Sequence, residues 1–389
     1  MLAIKNGRIY TVSDGVIENG TVLIDGDKIK AVGRNVRIPK GSDVIDATGK
    51  SVMPGIIDAH CHISVYQSPR RTGDSYDLNE STSPTTPHIR AIDALNPEDY
   101  AIKMARKSGF TTVCSLPGST NICGGMGVVY KLKKAKTVFD MVIPGKEPMK
   151  FALGENPRSV FGKRNQYFKT RMGIAGHFRE FLAYAKQYSD LKLEHEKDPS
   201  RQAPSFDFQL EAMVPVMRGE MTCRIHCHRA DDIVTAIRVS EEFGLKYVLE
   251  HVTEGYKIVD FLKEKDPYCV VGPTATPPTK QELLDKSLEN AAILSDAGLR
   301  VCLTSDSSYS EFLLPNEVGI AMAHGLSEEA AFKAVTVNPA GVLGISDRTG
   351  TLEVGKDADL AIFSGHPFSN LSRCEKTVIS GVVYDNLKD

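Results

Sequence analysis

Between residues 54 and 340, short uninterrupted apolar runs alternate with helix-patterned segments, and several of these runs end in a histidine or a carboxylate. Thr111–Leu116, Lys246–His251, Tyr268–Gly272 and Leu299–Asp306 have the continuous β-prone character of strands buried on both faces. Helical signals lie between them. Asn96-Pro97-Glu98-Asp99 opens a helix with a cap and early acids, and Gly109 stops it. Further helices are expected over Asp231–Phe243, Lys257–Lys265 and Gln281–Ala297, and Ser327 caps a closing one. Two more strands are read at Met141-Val142-Ile143 and Lys150–Leu153. About eight such units suit a closed (β/α)8 barrel.

The ends have a different texture. Leu2–Lys5, Arg8–Val12, Thr21–Ile24 and Lys28–Val32 are short strand patterns, with Asn6-Gly7 and Asp25-Gly26 as hairpin turns. Ala358–Phe363 and Thr377–Tyr384 repeat that texture at the other end. Neither end can bury a two-sided core alone. The economical arrangement is one β-sandwich from residues 1–53 plus 351–389, beside a barrel over 54–350.

Composition narrows the function classes. Hydrophobic residues make up 41% and charged residues 25%, with a net charge of −2 and no long run of one sign. Nucleic-acid or membrane-surface binding through bulk electrostatics is therefore not expected. No stretch approaches the ~20 apolar residues of a membrane span. The first residues lack a signal-peptide core, so a cytoplasmic location is expected. None of the eight cysteines (Cys61, Cys114, Cys123, Cys223, Cys227, Cys269, Cys302, Cys374) stands in a C-x-x-C pair, and they read as reduced core thiols.

The chemistry concentrates at strand ends. His60 and His62 close the run Pro54–His62 at i, i+2 spacing, which projects both from one face of a strand. Cys61 between them faces the other way. Glu155, His226, His251 and Asp306 end later runs. Any one of these alone is more often a hydrogen-bonded structural residue. Together, at the end of a barrel where chemistry gathers, they suit a metal such as zinc, manganese, iron or nickel. Gly124-Gly125-Met126-Gly127 lacks the context of a phosphate loop and reads as a flexible active-site loop. Asp74 and Asp77 fall in a long polar loop after the first strand. His88, His177, His195, His324 and His366 are isolated from the strand ends.

With these residues, the chain resembles the amidohydrolase superfamily of metal-dependent hydrolases. The resemblance rests on Pro54–His62, His226, Glu250-His251, Thr304-Ser305-Asp306, Thr336–Ala340 and Gly355–Leu360, and is nearest to the branch with imidazolonepropionase and metal-dependent prolidases. It implies a (β/α)8 barrel with a terminal β-sandwich and one or two divalent ions, zinc foremost. His60 and His62 would hold the more buried ion, and His226 and His251 a second. Asp306 would contact the first and serve as general base, then acid. Many such enzymes bridge two ions with a carboxylated lysine on the fourth strand. Here Glu155 is assigned as that carboxylate, because Lys150 sits early on its strand. His228, two residues after His226, is read as a substrate group, although the two could exchange roles. The basic stretch Arg158, Lys163, Arg164, Lys169 and Arg171 follows Glu155, and Arg158 and Arg164 are the first candidates to hold a substrate carboxylate. Hydrolysis of an amide or cyclic amide in a small molecule is the leading expectation. A heterocycle deaminase is the enzyme alternative, and a non-catalytic scaffold a lesser one. A homo-oligomer is expected.

Overall fold

Both ends of the chain are pinned into one sheet. In the computed structural model, which describes residues 1–67, 77–307 and 310–388, Ser51–Pro54 runs antiparallel to Leu360–Phe363. Outward from this seam, one side continues through Leu2–Tyr10, Val16–Asp25 and Lys28–Gly33, with Asp43–Asp46 also paired to Leu2–Tyr10. The other side continues through Cys374–Ile379 to Val382–Asp385. Ile4, Val22, Val52, Leu360, Ile362 and Val378 form its buried face. Asp25-Gly26 makes the expected hairpin turn. Asn6-Gly7 does not, because Leu2–Tyr10 is one continuous strand in which Asn6, with φ of 63°, forms a bulge. The close approach of Ala47 and Val52 leaves no space for a side chain at Gly7, where a Cβ would lie 2.9 Å from Val52.

The alternating region is an α/β fold with mixed sheets. Six strands pair in the order Arg300–Leu303, Tyr268–Val271, Tyr247–His251, Cys223–Cys227, Met149–Ala152 and Cys123–Met126, all parallel except the last pair. Three more, Ile56–Cys61, Phe110–Ser115 and Val128–Lys131, form a second sheet whose last pair is antiparallel. Among the described residues the ladders do not close into one ring. No ladder of described residues joins Arg300–Leu303 to Ile56–Cys61; His62 N–H donates to Ser307 O in the segment after Arg300–Leu303, and Ile57 N–H to Val335 O at the end of the helix Glu328–Ala334, each at 2.9 Å. The two sheets nevertheless share an interior, in which Ile57, Ala59, Cys114 and Val129 pack with Val248, Val270 and Cys302.

Several elements differ from expectation. Gly124-Gly125-Met126-Gly127 is mostly strand rather than loop. A Cβ on Gly125, at φ of 111°, would meet Ile89 O at 2.4 Å, so the backbones need glycine there. Met141–Ile143 makes only an isolated bridge, from Val142 to Tyr130. The helix expected over Gln281–Ala297 is a short turn at Gln281–Leu283 and a helix at Asn290–Asp296. Asp99 is the cap of Tyr100–Lys107, accepting from Ala101 N–H. A 27-residue helix, Arg171–Lys197, follows the strand Met149–Ala152 and packs against Phe208–Met217. All eight cysteines are free and buried. Asp77 is exposed, and Asp74 lies outside the described residues.

A buried ion cluster ties the terminal sheet to the strands that carry the site. Lys131 Nζ lies 2.6 Å from Asp357 Oδ2 and 2.9 Å from Asp359 Oδ2, with all three side chains under 5% exposed. Lys28 and Arg348 reach Asp357 from the surface. Burial opposes ionisation of Asp357, but hydrogen bonds from Lys131 and Lys28 hold its pKa at about 2. A depressed carboxylate stabilises the fold above its unfolded pKa of about 4 and loses that contribution as pH falls toward 2. Lys131→Met leaves the buried Asp359 without its cation and removes one of three from Asp357, and urea unfolding at pH 7 should show a loss of about 3–5 kcal/mol. That loss should shrink as pH drops from 4 to 2, where the wild-type protein loses the same contribution.

Candidate active site

The strand ends aim side chains inward by departing from strand geometry. Glu250 and His251 are consecutive and would point to opposite faces of a regular strand. His251, Val252 and Asp306 instead have φ values of 71°, 45° and 46°, so both Glu250 and His251 turn to the interior. Non-glycine residues in this region cost ~1–3 kcal/mol each, a strain that gathers at functional sites.

A buried chain of charge fixes the first imidazole. Arg224 pairs through Nε with Glu250 Oε1 and donates from its NH2 group to Ala59 O at 2.8 Å. The other Glu250 oxygen lies 2.6 Å from His60 Nδ1. Burial disfavours the Glu250 carboxylate, but Arg224 and His60 hold its pKa at about 2. His60 N–H also donates to Asp58 Oδ1 at 2.9 Å. Burial lifts Asp58 to about 7.

The other imidazoles are oriented in the same way. His62 Nδ1 lies 2.8 Å from Leu116 O, and His251 Nδ1 lies 2.8 Å from Gly272 O. A carbonyl oxygen only accepts, so the Nδ1 proton is committed there and Nε2 carries the lone pair. Nε2 of both His60 and His62 stands 3.2 Å from Asp306 Oδ1. Burial disfavours charge on His62 and His251, taking His251 down to about 3, so the rings are neutral at pH 7. Burial also opposes ionisation of Asp306, and positive charge at His251 with hydrogen bonds from His60 and His62 would hold the carboxyl well below its ordinary range. Neutral rings with Nδ1 committed supply neither, so a cation among the Nε2 atoms and Asp306 Oδ1 would provide the missing charge.

A second cluster adjoins the first. His226, His228 and His251 each offer a nitrogen within 4.8 Å of the others, and His60, His251 and Asp306 form a similar group. His228 Nδ1 lies 2.8 Å from Thr253 Oγ1. Nε2 of His226 and of His228 is buried without a hydrogen-bond partner among the described residues. Ligands around a tetrahedral zinc stand about 3.4 Å apart, so a small contraction completes either group.

The sequence-predicted residues divide. His60, His62, His226, His251 and Asp306 converge, and His228 joins them. Glu155 does not. It opens the helix Glu155–Lys163 and its Oε2 accepts from Glu282 N–H at 3.2 Å, because the turn at Gly154 carries it away from the interior. Lys150 does reach the cluster, with Nζ 3.3 Å from His60 Nε2, and burial lowers its pKa to about 8. In register it is two residues behind Ala152, the partner of His226. The four-carbon stem spans that deficit of ~6.6 Å. Glu282 was not anticipated. It is 2% exposed, and Oε1 lies 3.7 Å from His228 Nε2 and 3.9 Å from His226 Nε2. Arg158 lies on Glu155–Lys163, and Arg164 donates to Ser81 O at 2.6 Å.

Comparison with known proteins bears on this geometry. The Amidohydrolase family profile matches residues 51–384. The chain belongs to the amidohydrolase family. The structure of an amidohydrolase from Thermotoga maritima MSB8 is 39% identical, covering 99% of this chain and 100% of that one, with a TM-score of 0.93. Amidohydrolase tasK of Hapsidospora irregularis is 27% identical over 93% of this chain, which spans 38% of that protein's length. A dihydroorotase of Aquifex aeolicus is 24% identical over 100% of this chain and 98% of its own. Among the described residues no helix is long and apolar enough to cross a membrane.

The amidohydrolase site depends on the Arg224–Glu250 pair beneath it. Glu250→Gln keeps the volume and leaves Arg224 without its counter-charge. Urea unfolding of the metal-free protein should show a loss of about 3–5 kcal/mol.

Proposed function

We propose that this amidohydrolase hydrolyses a C–N bond, in an amide or cyclic amide, of a small carboxylate-bearing molecule, using one or two divalent ions with zinc foremost. The observation that carries the reading is the convergence of the Nε2 atoms of His60 and His62 on the Asp306 carboxyl, with Nδ1 of His60, His62 and His251 held by Glu250, Leu116 O and Gly272 O. We assign His60, His62 and Asp306 to the first ion, and His226 and His251 to the second. Lys150 replaces Glu155 as the bridging group. A deprotonated amine can add to carbon dioxide, releasing one proton and leaving a carbamate, and a buried lysine of lowered pKa is suited to that. The architecture we propose is the (β/α)8 barrel with its terminal sandwich, residues 1–53 plus 351–389 flanking 54–350.

A divalent ion supplies a water of lowered pKa and a positive charge for the developing oxyanion. The chain does the rest. Asp306, held by His60 and His62, accepts the proton of the attacking water and returns it to the leaving nitrogen. Burial of His60 and His251 keeps bulk water from competing. Lys280 lies on the loop beside the cluster, 3.1 Å from Asn156 Oδ1, and can meet a substrate carboxylate. Arg164 is already engaged by Ser81, and Arg158 stays a candidate.

Elemental analysis of unstripped protein should find one or two divalent ions per chain. A screen of dipeptides, N-acyl amino acids and cyclic amides should give hydrolysis without ammonia release. A protein that takes up neither zinc nor manganese would refute the reading, and ammonia from an amino-heterocycle would favour the deaminase. Asp306→Asn should retain metal and fold while turnover falls ~10²–10⁴-fold. Lys150→Met should abolish any bicarbonate dependence of metal uptake.

A further inference from the structure

Glu282 is a buried carboxylate at the edge of the histidine cluster. The loop after Tyr268–Val271 delivers it, and the turn before Glu155–Lys163 receives it. Its Oε2 accepts from Glu155 N–H at 2.8 Å, at the positive end of that helix. Glu155 reciprocates through Glu282 N–H. Gly154 leaves the space: a Cβ there would lie 2.6 Å from Glu282 Oε2 and 3.1 Å from Asp232 Oδ2. One oxygen is thus spent on backbone. The other, Oε1, faces His228 and His226 at 3.7 and 3.9 Å, and both of those Nε2 atoms are buried without a hydrogen-bond partner.

Thr253 Oγ1 can accept from His228 Nδ1, which leaves its Nε2 free to present a lone pair, and a cation among His226 Nε2, His228 Nε2 and Glu282 Oε1 would satisfy all three. One cation is nearby. Lys280 Nζ is 2.7 Å from Glu282 Oε1 and its side chain is 20% exposed, so it approaches from the loop side. Arg171 stands 4.0 Å from Oε2, already paired with Asp232. Lys280 neutralises Glu282 but leaves both imidazoles unsatisfied.

We propose that Glu282 is a ligand of the ion at His226, His228 and His251, and that Lys280 holds that carboxylate until the ion displaces it. This rests on the metal-dependent reading above. It adds two groups, His228 and Glu282, to a centre that the family resemblance gave only His226 and His251 plus a bridge. It also makes second-site affinity depend on a loop ion pair.

The test is zinc binding to stripped protein, followed by chelator competition and by elemental analysis after dialysis. Glu282→Gln should weaken the second site at least ~10-fold and leave the first unchanged. Lys280→Met should tighten the second site several-fold in the wild-type background. It should do nothing in the Glu282→Gln background, which separates displacement at Glu282 from a general charge effect. His228→Asn should also weaken the second site. Cobalt-substituted protein should show a changed visible spectrum on Glu282→Gln. Wild-type second-site affinity and spectrum in Glu282→Gln, with both zinc ions bound, would overturn the inference and leave the hydrolase reading standing. So would equal effects of Lys280→Met in the two backgrounds. A wild-type protein that binds no zinc would overturn both. Should Glu282→Gln not fold, Lys280→Met and His228→Asn decide alone: unchanged affinity in both overturns the inference.

Discussion

The site depends on where the imidazole protons go. A histidine with its Nδ1 proton fixed by an acceptor presents one lone pair in one direction. His60 is fixed by Glu250, His62 by Leu116 O and His251 by Gly272 O. The Glu250 acceptor is itself expensive, because a carboxylate in the interior must be balanced, and Arg224 balances it. Arg224 sits on the strand next to that of Glu250 and also holds the carbonyl of Ala59, one residue before His60. One ion pair therefore couples three strands and sets the tautomer of the first ligand. Without it, His60 could present either nitrogen.

Positive φ angles are the second requirement. Regular alternation would give each strand one inward residue at its end. His251 and Asp306 leave that alternation, and the interior gains groups it would not otherwise hold. The seam between Arg300–Leu303 and Ile56–Cys61, where a His62–Ser307 bond stands in place of a ladder, lies at the same place. An unbroken ladder would bind backbone to backbone and hold the alternation. Without that ladder, Asp306 stands 3.2 Å from Nε2 of both His60 and His62.

Much of this was legible in the sequence because it follows local rules. The i, i+2 spacing put His60 and His62 on one face, and the helix expected at Asp231–Phe243 is observed at Ala230–Glu242. The terminal strands combine as their shared texture suggested, in one eight-stranded sheet where a sandwich was expected. What failed was non-local. Strand position argued against Lys150, but side-chain length restored its reach. Glu155 had the right chemistry and the right strand, yet the turn at Gly154 carried it away. Glu282 fell inside the helix expected over Gln281–Ala297, with nothing local to aim it at the histidines. It lies in a loop after Pro277-Pro278, and only the reciprocal bonds with Glu155 bring it inward.

The exchange of Glu155 for Glu282 shows how one chain separates framework from selectivity. Strands supply the histidines, and strands are costly to move because each ladder bond constrains a neighbour. Segments after the strands supply further charged groups, namely Lys280 and Glu282 after one strand, and Arg158 on the helix Glu155–Lys163 with Arg164 at its end after another. Glu282 straddles the two classes. Its backbone belongs to a loop, but one oxygen is locked to a helix N-terminus and the other faces the histidines. A side chain locked in this way loses little further entropy when a ligand arrives, so its interaction is nearly undiminished. The same lock ties the loop carrying Lys280 to the state of the histidine cluster. Occupancy of that cluster and the charge presented to a substrate are then linked through one carboxylate.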